Sequence, residues 1–313
     1  MRVHVRVPCS TSNLGAGFDC VGVALDRWLD VEAALDGTAR ATPTIVRAGT
    51  LAALGDAPAE DDLLWRGVQL ACGAARAPLP DGLLLRATSA IPVARGLGSS
   101  AAALVAGALV ADALLGLGLG PRRVAAITAT EEGHPDNVAP MLLGGAVLGV
   151  PTDAPGCDGW SFAPLDVHPD VAIVVGIPTF ETSTRAMRAA LPAEVPHRTS
   201  VVAASKGAAL VRGLASADAA LLAHALDDVV HVPWRRALIP GYDAVVAGAL
   251  GAGAWGATLS GAGSSLLALA PRGRAAAVAD AMRTAWAALA IEAEGWVATV
   301  APGAAVTPGV AAG

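Results

Sequence analysis

The chain has 313 residues, of which 54% are hydrophobic, and it carries a formal net charge of −6. This length suits two domains of roughly 100–200 residues each, and the acidic balance without a basic cluster argues against a nucleic-acid partner. Four cysteines without a CxxC pair argue against a structural zinc site and a disulfide framework, so we expect reduced thiols and a cytoplasmic protein.

Strands and then helices are predicted in the first half of the chain. The N-terminal MRVHVRVP alternates apolar and polar residues as a half-buried strand does, and it lacks the apolar core of a signal peptide. Pro121 suits the first turn of a helix. The predicted strands cover 2–8, roughly 20–35 and 81–91, and the predicted helices cover 99–115 and 121–132.

One apolar run, residues 101–120, is long enough to imitate a membrane span. Asp112 interrupts it, and alanine and glycine supply much of its apolar character, which makes transfer into a bilayer weakly favourable. We therefore expect a helix buried in a globular core and no membrane association.

A turn-rich break at residues 153–164 predicts the domain boundary, with domains over 1–160 and 161–302. The segment 303–313 has no periodicity and is predicted to be a disordered tail.

Because strands and helices mix without a regular βαβ alternation, the fold class is predicted to be α+β. Beyond the break, the pattern predicts a strand over 170–178, helices over 184–191, 199–215, 217–229 and 272–290, two strands about 261–263 and a last strand over 295–300.

A glycine-rich loop, IPVARGLGSSAA, joins the strand over 81–91 to the helix over 99–115. The first N–H groups of a helix have no intrahelical partner, and the helix dipole adds partial positive charge there, so a phosphate could bind. Ser99 or Ser100 could cap the helix. The loop matches neither a Walker A sequence nor a dinucleotide fingerprint, and a simple capped turn is an equal alternative from the loop alone.

Three further segments concentrate polar groups. Pro8–Gly22 offers hydroxyls, an amide and a carboxylate; Glu131–Gly145 contains EEGHPDN; and Leu259–Ser265 is a glycine turn between two predicted strands. Alone, Pro8–Gly22 is a loop, and Leu259–Ser265 is as consistent with a hairpin as with a binding loop, whereas the density of charged and amide groups in Glu131–Gly145 indicates a functional cluster. A His/Cys metal site is not expected, because no second histidine lies three or four residues from His134.

In this order, the four segments resemble the signatures of the GHMP small-molecule kinases. The matching stretches are Pro8–Asp19, Pro92–Ala101 and Ser260–Gly263, and HPDNVAP at 134–140 resembles the homoserine kinases in particular. The resemblance spans nearly the full length. It implies a two-domain α+β fold, with an N-terminal domain like domain 2 of ribosomal protein S5 and a ferredoxin-like C-terminal domain. Ligands would lie between the two domains.

The resemblance also implies an activity. The protein would use ATP and Mg²⁺ to phosphorylate the side-chain hydroxyl of L-homoserine to O-phospho-L-homoserine, in threonine biosynthesis. A homodimer is expected from the family alone. The family's phosphate loop corresponds here to Pro92, Val93, Ala94, Arg95, Gly96, Leu97, Gly98, Ser99, Ser100, Ala101 and Ala102. Its substrate-binding residues correspond to Asn13, Asp19, His134, Asn137, Arg188, Arg235, Gly261 and Gly263.

Within that pattern, Ser100 and one acidic residue, Glu131 or Glu132, would hold the metal and contribute to catalysis. Asn137 stands where other superfamily members carry a candidate base Asp, which implies that an amide orients the substrate hydroxyl. Arg95 departs from the small or polar residue that relatives often carry, so we expect it to alter nucleotide contacts.

Two other functions remain open at this point. A GHMP kinase acting on mevalonate or a sugar is the nearer alternative, although a sugar would leave the two arginines without a carboxylate. A non-catalytic ligand sensor on the same fold is the other, although the phosphate loop and the glutamates are retained.

Overall fold

The protein, described by a computed structural model over residues 2–55 and 57–309, is organised around two β-sheets. The elements up to residue 165 are β1 (Arg2–Asn13), β2 (Gly17–Leu35), β3 (Thr44–Gly49), α1 (Leu63–Ala75), β4 (Leu83–Ser89), α2 (Ser99–Leu115), α3 (Gly120–Glu132), α4 (Val138–Leu143), β5 (Ala146–Pro151) and β6 (Trp160–Leu165). The later elements are β7 (Val171–Pro178), α5 (Thr184–Ala189), α6 (His197–Ser216), α7 (Ala219–Leu226), α8 (Val232–Arg235), α9 (Tyr242–Gly251), β8 (Gly256–Leu259), β9 (Leu266–Pro271), α10 (Ala275–Ala287), β10 (Ala293–Ala298) and β11 (Ala305–Pro308).

The larger sheet has seven strands, in the order β11-β1-β2-β4-β3, with β5 pairing both β2 and β6. Val3, Val5 and Val7 of β1 alternate with polar residues and are buried, as the sequence pattern predicts. The strand does not stop at residue 8. A register shift after Pro8 lets β1 continue beside β2 as far as Asn13, which carries polar residues towards the second half of the chain.

The smaller sheet has four antiparallel strands in the order β10-β7-β9-β8. Numbered within this half, that order is 4-1-3-2, the order of a ferredoxin-like sheet. Trp286 and Met282 of α10 are fully buried in the cluster that packs on this sheet. The predicted α+β class with a ferredoxin-like C-terminal half is confirmed.

The predicted domain boundary falls at the first residues of β6. This strand pairs with β5 and so belongs to the larger sheet, while β7 begins the smaller one. The turn-rich stretch 153–164 contains the turn of a hairpin together with part of its second strand, which is why composition suggested a break. We propose that the boundary between the domains lies between residues 165 and 171.

The predicted disordered tail is wrong for residues 305–308. These residues form β11 and pair antiparallel with Val3–Arg6 of β1. Backbone pairing with an otherwise open sheet edge needs no hydrophobic periodicity, so the sequence pattern gave no signal for it. Residues 310–313, also in the predicted tail, lie outside the described residues.

Helix α2 is buried in the core as expected, with most of its residues inaccessible to solvent. It packs against α1 at close range: a Cβ on Gly67 would lie 2.1 Å from the carbonyl oxygen of Leu104, and one on Gly107 would lie 1.9 Å from that of Leu64. Two helix backbones can approach this closely only where the residues at the contact are glycines, which have no side chain. No helix in the described part of the chain has both the length and the apolar character that crossing a bilayer requires.

This close contact predicts opposite effects for two alanine substitutions in α1. Gly67→Ala should destabilise the protein by about 1–3 kcal/mol, because the new methyl group forces α1 and α2 apart. Gly73→Ala should stabilise it by up to about 1 kcal/mol, because nothing lies within 4 Å of a Cβ there and alanine is the better helix former. Thermal unfolding of both variants beside the unaltered protein measures this, and a Gly67→Ala melting temperature at or above that of Gly73→Ala would contradict the packing.

Candidate active site

A cleft of about 480 Å³ brings together residues from both halves of the chain. The start of α2, the end of β1 and the segment following β7 all contribute to its walls. Most of the predicted site residues line it: Asn13, Asp19, Val93, Ala94, Arg95, Gly96, Gly98, Ser99, Ser100, Glu132, His134, Asn137, Arg188, Arg235 and Gly261.

The glycines of the loop before α2 are required by the backbone. Gly96 and Gly98 have φ values of 68° and 70°, where L side chains are strained. A Cβ on Gly96 would lie 2.2 Å from the carbonyl oxygen of Ser260. Gly98 is the N-cap of α2 and no side chain caps the helix, so the expected capping by Ser99 or Ser100 is wrong. Both serines instead lie in the first turn of α2, at the wall of the cleft.

The loop is joined to the late glycine turn by hydrogen bonds. Ser260 donates through Oγ to the carbonyl of Gly96 at 2.7 Å, and its Oγ also lies 2.9 Å from Thr11 Oγ1. Asn13 donates through Nδ2 to the carbonyl of Gly261 at 3.0 Å, and Gly261 N–H donates to the carbonyl of Ser12 at 3.1 Å. Three of the four sequence motifs therefore meet at one point.

Arg95 anchors the loop through its guanidinium group. Its Nε donates to the carbonyl of Pro178 at 2.9 Å, its Nη2 to that of Thr179, and its Nη1 to that of Val93 at 3.0 Å, while Glu181 lies 3.2 Å away. We expected the Arg95 side chain to alter nucleotide contacts, but its guanidinium group is already engaged by these acceptors. The structure therefore favours a positioning role for Arg95.

Six predicted residues are not part of the cleft wall. Leu97, Ala101 and Ala102 are fully buried in the core, so only their backbone could approach a phosphate. The other three are Pro92, Glu131 and Gly263. Ala101 and Ala102 belong to the part of α2 that is buried on all sides in the core.

The two glutamates at the end of α3 have different surroundings. Glu131 forms a two-point ion pair with Arg66, with distances of 2.7 and 2.9 Å, and this hydrogen bonding lowers its pKa. Glu132 lines the cleft and has no ion-pair partner among the described residues. Burial raises the pKa of Glu132, and His134 opposes the shift only in part. Of the two glutamates that the sequence left as alternatives for the metal, Glu132 is the one that lies at the cleft wall.

Asn137 is held by hydrogen bonds within the protein. Its Oδ1 accepts from Ser10 Oγ at 2.9 Å, and its Nδ2 donates to Ser12 Oγ at 3.2 Å and to Asp136 Oδ1 at 3.1 Å. Asp136 is almost fully buried, and its Oδ1 also lies 2.7 Å from His134 Nδ1. Burial alone would lower the pKa of His134, but the hydrogen bond and charge of Asp136 outweigh it and raise the pKa.

The two arginines that were predicted to bind the substrate carboxylate have different hydrogen-bond partners in the structure. Arg188 pairs with both oxygens of Asp19, at 2.9 and 3.0 Å. Arg235 is only 2% exposed, donates through Nε to the carbonyl of Met187 at 3.0 Å, and has no carboxylate within ion-pair distance among the described residues. Burial lowers the pKa of Arg235, and the nearby charge of Arg188 acts in the same direction. The cleft thus contains a buried guanidinium that lacks a counter-ion.

The sequence did not predict one wall of the cleft. Leu51, Leu54 and Leu64 contribute apolar surface there, and the buried ion pair of Arg47 with Asp62 holds the segment before α1. Asp62 also accepts from the N–H of Leu64 at 2.7 Å and so begins α1. An Asp before an apolar periodic run is a helix-start signal, which could have located this helix but not its place at the cleft.

Family models match both halves of the chain. The model for the GHMP kinases N terminal domain matches residues 62–145, and the model for the GHMP kinases C terminal region matches residues 210–288. Two homoserine kinases are among the similar curated proteins: one from a Synechococcus species is 43% identical, covering 91% of each chain, and one from a Picosynechococcus species is 39% identical, covering 93% of this chain and 94% of that protein.

Solved structures agree with these matches. The crystal structure of homoserine kinase from Cytophaga hutchinsonii has a TM-score of 0.85 at 28% identity, covering 98% of this chain and 97% of that one. The mevalonate kinase of L. major, solved in complex with R-mevalonate, has a TM-score of 0.67 at 18% identity over 95% of each chain, and it shows the shared fold alone. The protein therefore belongs to the GHMP kinases, in their homoserine kinase branch.

Proposed function

We propose that the protein transfers the γ-phosphoryl group of ATP to the side-chain hydroxyl of L-homoserine, in threonine biosynthesis. The observation that carries this proposal is the buried guanidinium of Arg235, which lines the cleft and has no carboxylate within ion-pair distance among residues 2–55 and 57–309. A buried charge without a counter-ion is costly unless a ligand supplies one. The amino-acid carboxylate is a matching anion, and guanidinium binds it at two points.

The pair of Arg188 and Asp19 fits the rest of the amino-acid group. An α-amino acid carries one anion and one cation close together, and this pair presents the complementary charges at the cleft. On binding, Arg188 would leave Asp19 to join Arg235 on the carboxylate, and Asp19 would accept from the ammonium. Mevalonate and sugars offer no ammonium, so this arrangement favours homoserine over the other superfamily substrates.

The N-terminus of α2 would bind the phosphates of ATP. Its free N–H groups open on the cleft beside Gly96 and Gly98, and they donate without needing a Walker lysine. Phosphoryl transfer asks the protein mainly for positioning and charge stabilisation. The hydrogen bonds that join this loop to the Ser260 turn would keep the phosphates and the substrate in register.

The residues at the cleft fit a Mg²⁺ ion. Glu132 is a carboxylate without a cationic partner among the described residues, and Ser100 places a hydroxyl at the start of α2, so both offer the hard oxygen ligands that Mg²⁺ prefers. When bound, the ion would neutralise charge on the phosphates.

Asn137 would orient the substrate hydroxyl through Oδ1. Both N–H groups of its amide are already donated, to Ser12 and to Asp136, which leaves the oxygen as the group able to accept from a hydroxyl. An amide does not take up the proton, so the hydroxyl would keep it until late in the transfer. The proton would then pass from the hydroxyl to an oxygen of the transferring phosphoryl group.

The cellular setting is also a proposal. All four cysteines are free, which supports a reducing compartment such as the cytoplasm. A homodimer stays a prediction from the family, and light scattering at micromolar concentration would test it.

Isosteric changes of the two glutamates should separate their roles. Glu132→Gln should lower kcat by about a hundredfold or more, because the cleft loses the charge proposed to hold the metal. Glu131→Gln should stay within about twofold of the unaltered enzyme, because its exposed ion pair with Arg66 contributes about 0–1 kcal/mol to stability. Steady-state rates at increasing Mg²⁺ measure both, and equal losses in the two variants would contradict the assignment to Glu132.

Replacing the amide of Asn137 by a carboxylate should not improve the enzyme. In Asn137→Asp the new carboxylate would stand about 3 Å from Asp136, and like charges this close repel each other. We expect kcat at neutral pH to fall at least tenfold, or about 1.4 kcal/mol. A pH–rate profile is the measurement, and a neutral-pH rate equal to that of the unaltered enzyme would mean that a base had been missing.

The substrate assignment is tested at Arg235. Arg235→Leu should lower kcat/KM for homoserine by roughly 30-fold or more, about 2 kcal/mol, because the substrate carboxylate loses a buried partner. The KM for ATP should change little. Arg236→Leu is the matched control, since Arg236 is exposed and pairs with Asp243 outside the cleft.

The same experiment includes an alcohol without the carboxylate. The unaltered enzyme should turn over 3-aminopropanol much less efficiently than homoserine, because Arg235 would then stay unpaired. Equal kcat/KM values for the two alcohols would refute homoserine as the substrate.

A further inference from the structure

His231 is a buried imidazole that the mechanism above does not use. It lies just before α8 with no exposed surface, and its ring stacks on that of Phe18 at a centroid distance of 4.7 Å. The guanidinium carbon of Arg235 lies 5.2 Å from the same Phe18 ring. Histidine and arginine therefore share one aromatic neighbour at the wall of the cleft.

The contacts of His231 determine which of its nitrogens carries hydrogen. Nε2 lies 3.3 Å from the carbonyl oxygen of Gly15, and a carbonyl only accepts, so Nε2 must donate. Nδ1 lies 3.2 Å from Nη1 of Arg235, and a guanidinium only donates, so Nδ1 must accept. Together these two contacts require the neutral imidazole with hydrogen on Nε2.

The surrounding charges agree with the neutral form. The charged groups that face the ring are Arg235 on α8, Asp228 just before α8 and Asp19 on β2. Asp228 Oδ2 lies 3.8 Å from Nε2, but it already accepts from the N–H groups of Val230, His231 and Val232. Burial, opposed in part by Asp228 and reinforced by Arg235, lowers the pKa of His231 to about 4.

We propose that His231 is a positioning residue for the substrate carboxylate, because it accepts from Arg235 and fixes the plane of that guanidinium. His231 holds Nη1 from one side while the carbonyl of Met187 holds Nε from another, and the remaining N–H groups are left for the ligand. Met187 precedes Arg188 in the chain, so the same contact ties the two arginines together. This inference rests on the proposed function, in which Arg235 binds the homoserine carboxylate.

Two variants separate the acceptor from the ring. His231→Phe keeps an aromatic ring beside Phe18 but removes the acceptor, and His231→Asn keeps an acceptor at the position of Nδ1. His224→Phe is the matched control, because His224 is exposed on the neighbouring helix α7. For each variant we would measure kcat and KM with homoserine and with 3-aminopropanol, the KM for ATP and the melting temperature.

We expect His231→Phe to raise the KM for homoserine about tenfold, with kcat and the KM for ATP within about threefold, because only carboxylate binding is affected. Efficiency with 3-aminopropanol should fall by less than about threefold. His231→Asn should recover most of the homoserine KM, and His224→Phe should match the unaltered enzyme.

Equal losses on both alcohols, or an unchanged homoserine KM in His231→Phe, would overturn the inference while leaving the proposed function in place. If the unaltered enzyme did not discriminate between the alcohols, the proposed function itself would fail. Nitrogen-15 shifts of the imidazoles in the unaltered protein supply a test that needs no variant to fold. At pH 7 we expect a neutral His231 with hydrogen on Nε2, and an imidazolium or hydrogen on Nδ1 would also overturn the inference.

Discussion

The close approach of the Gly96 loop to the Ser260 turn is the contact on which the site depends. The Gly96 loop follows β4 of the larger sheet, and the Ser260 turn joins β8 to β9 of the smaller sheet. A Cβ on Gly96 would lie 2.2 Å from the Ser260 carbonyl oxygen, so the two backbones meet without a side chain between them. Hydrogen bonds from Ser260 and Asn13 hold the contact. The start of α2 and the substrate-facing residues of the second half thereby share one cleft. A loop that moved independently of either sheet could not hold a phosphate and an acceptor hydroxyl in register.

Charge pairing organises the other side of the cleft. Arg235 is buried and has no carboxylate within ion-pair distance in the described part of the chain, whereas Arg188 and Asp19 pair with each other. This arrangement explains how a fold shared with kinases of other alcohols can select an amino acid: selectivity comes from groups that are left unpaired when the ligand lacks a carboxylate. Glu132, Asp136 and His134 form a separate acidic region near the phosphate loop, where burial and mutual charge shift the pKa values of Glu132 and His134 upward.

Much of the fold and site could be predicted from the sequence where local rules apply. The helix over 99–115 and the strand over 170–178 were predicted nearly to the residue, because a Gly-Ser start and an apolar run rich in Val and Ile are strong local signals. The predictions failed where pairing between distant segments decides the structure. β11 forms because the edge of β1 is open, and the position of α1 at the cleft follows from its close packing on α2. The apolar wall around Leu51 and Leu54 has no motif, because any apolar surface of suitable shape serves there.

By itself, the sequence determined the fold class, the family and the identity of most of the residues at the cleft, because glycine-dependent turns and helix starts are specified by residues that lie close together in the chain. Only the tertiary structure distinguishes the surroundings of Glu131 and Glu132, since neighbouring helix positions point in different directions and Arg66, distant in sequence, pairs with Glu131 while Glu132 lines the cleft. The same holds for Arg95, which is engaged by carbonyls at the end of β7, and for His231, whose tautomer depends on partners far away in the chain. Such roles depend on the hydrogen-bond partners that folding brings together, and residue type alone does not specify those partners.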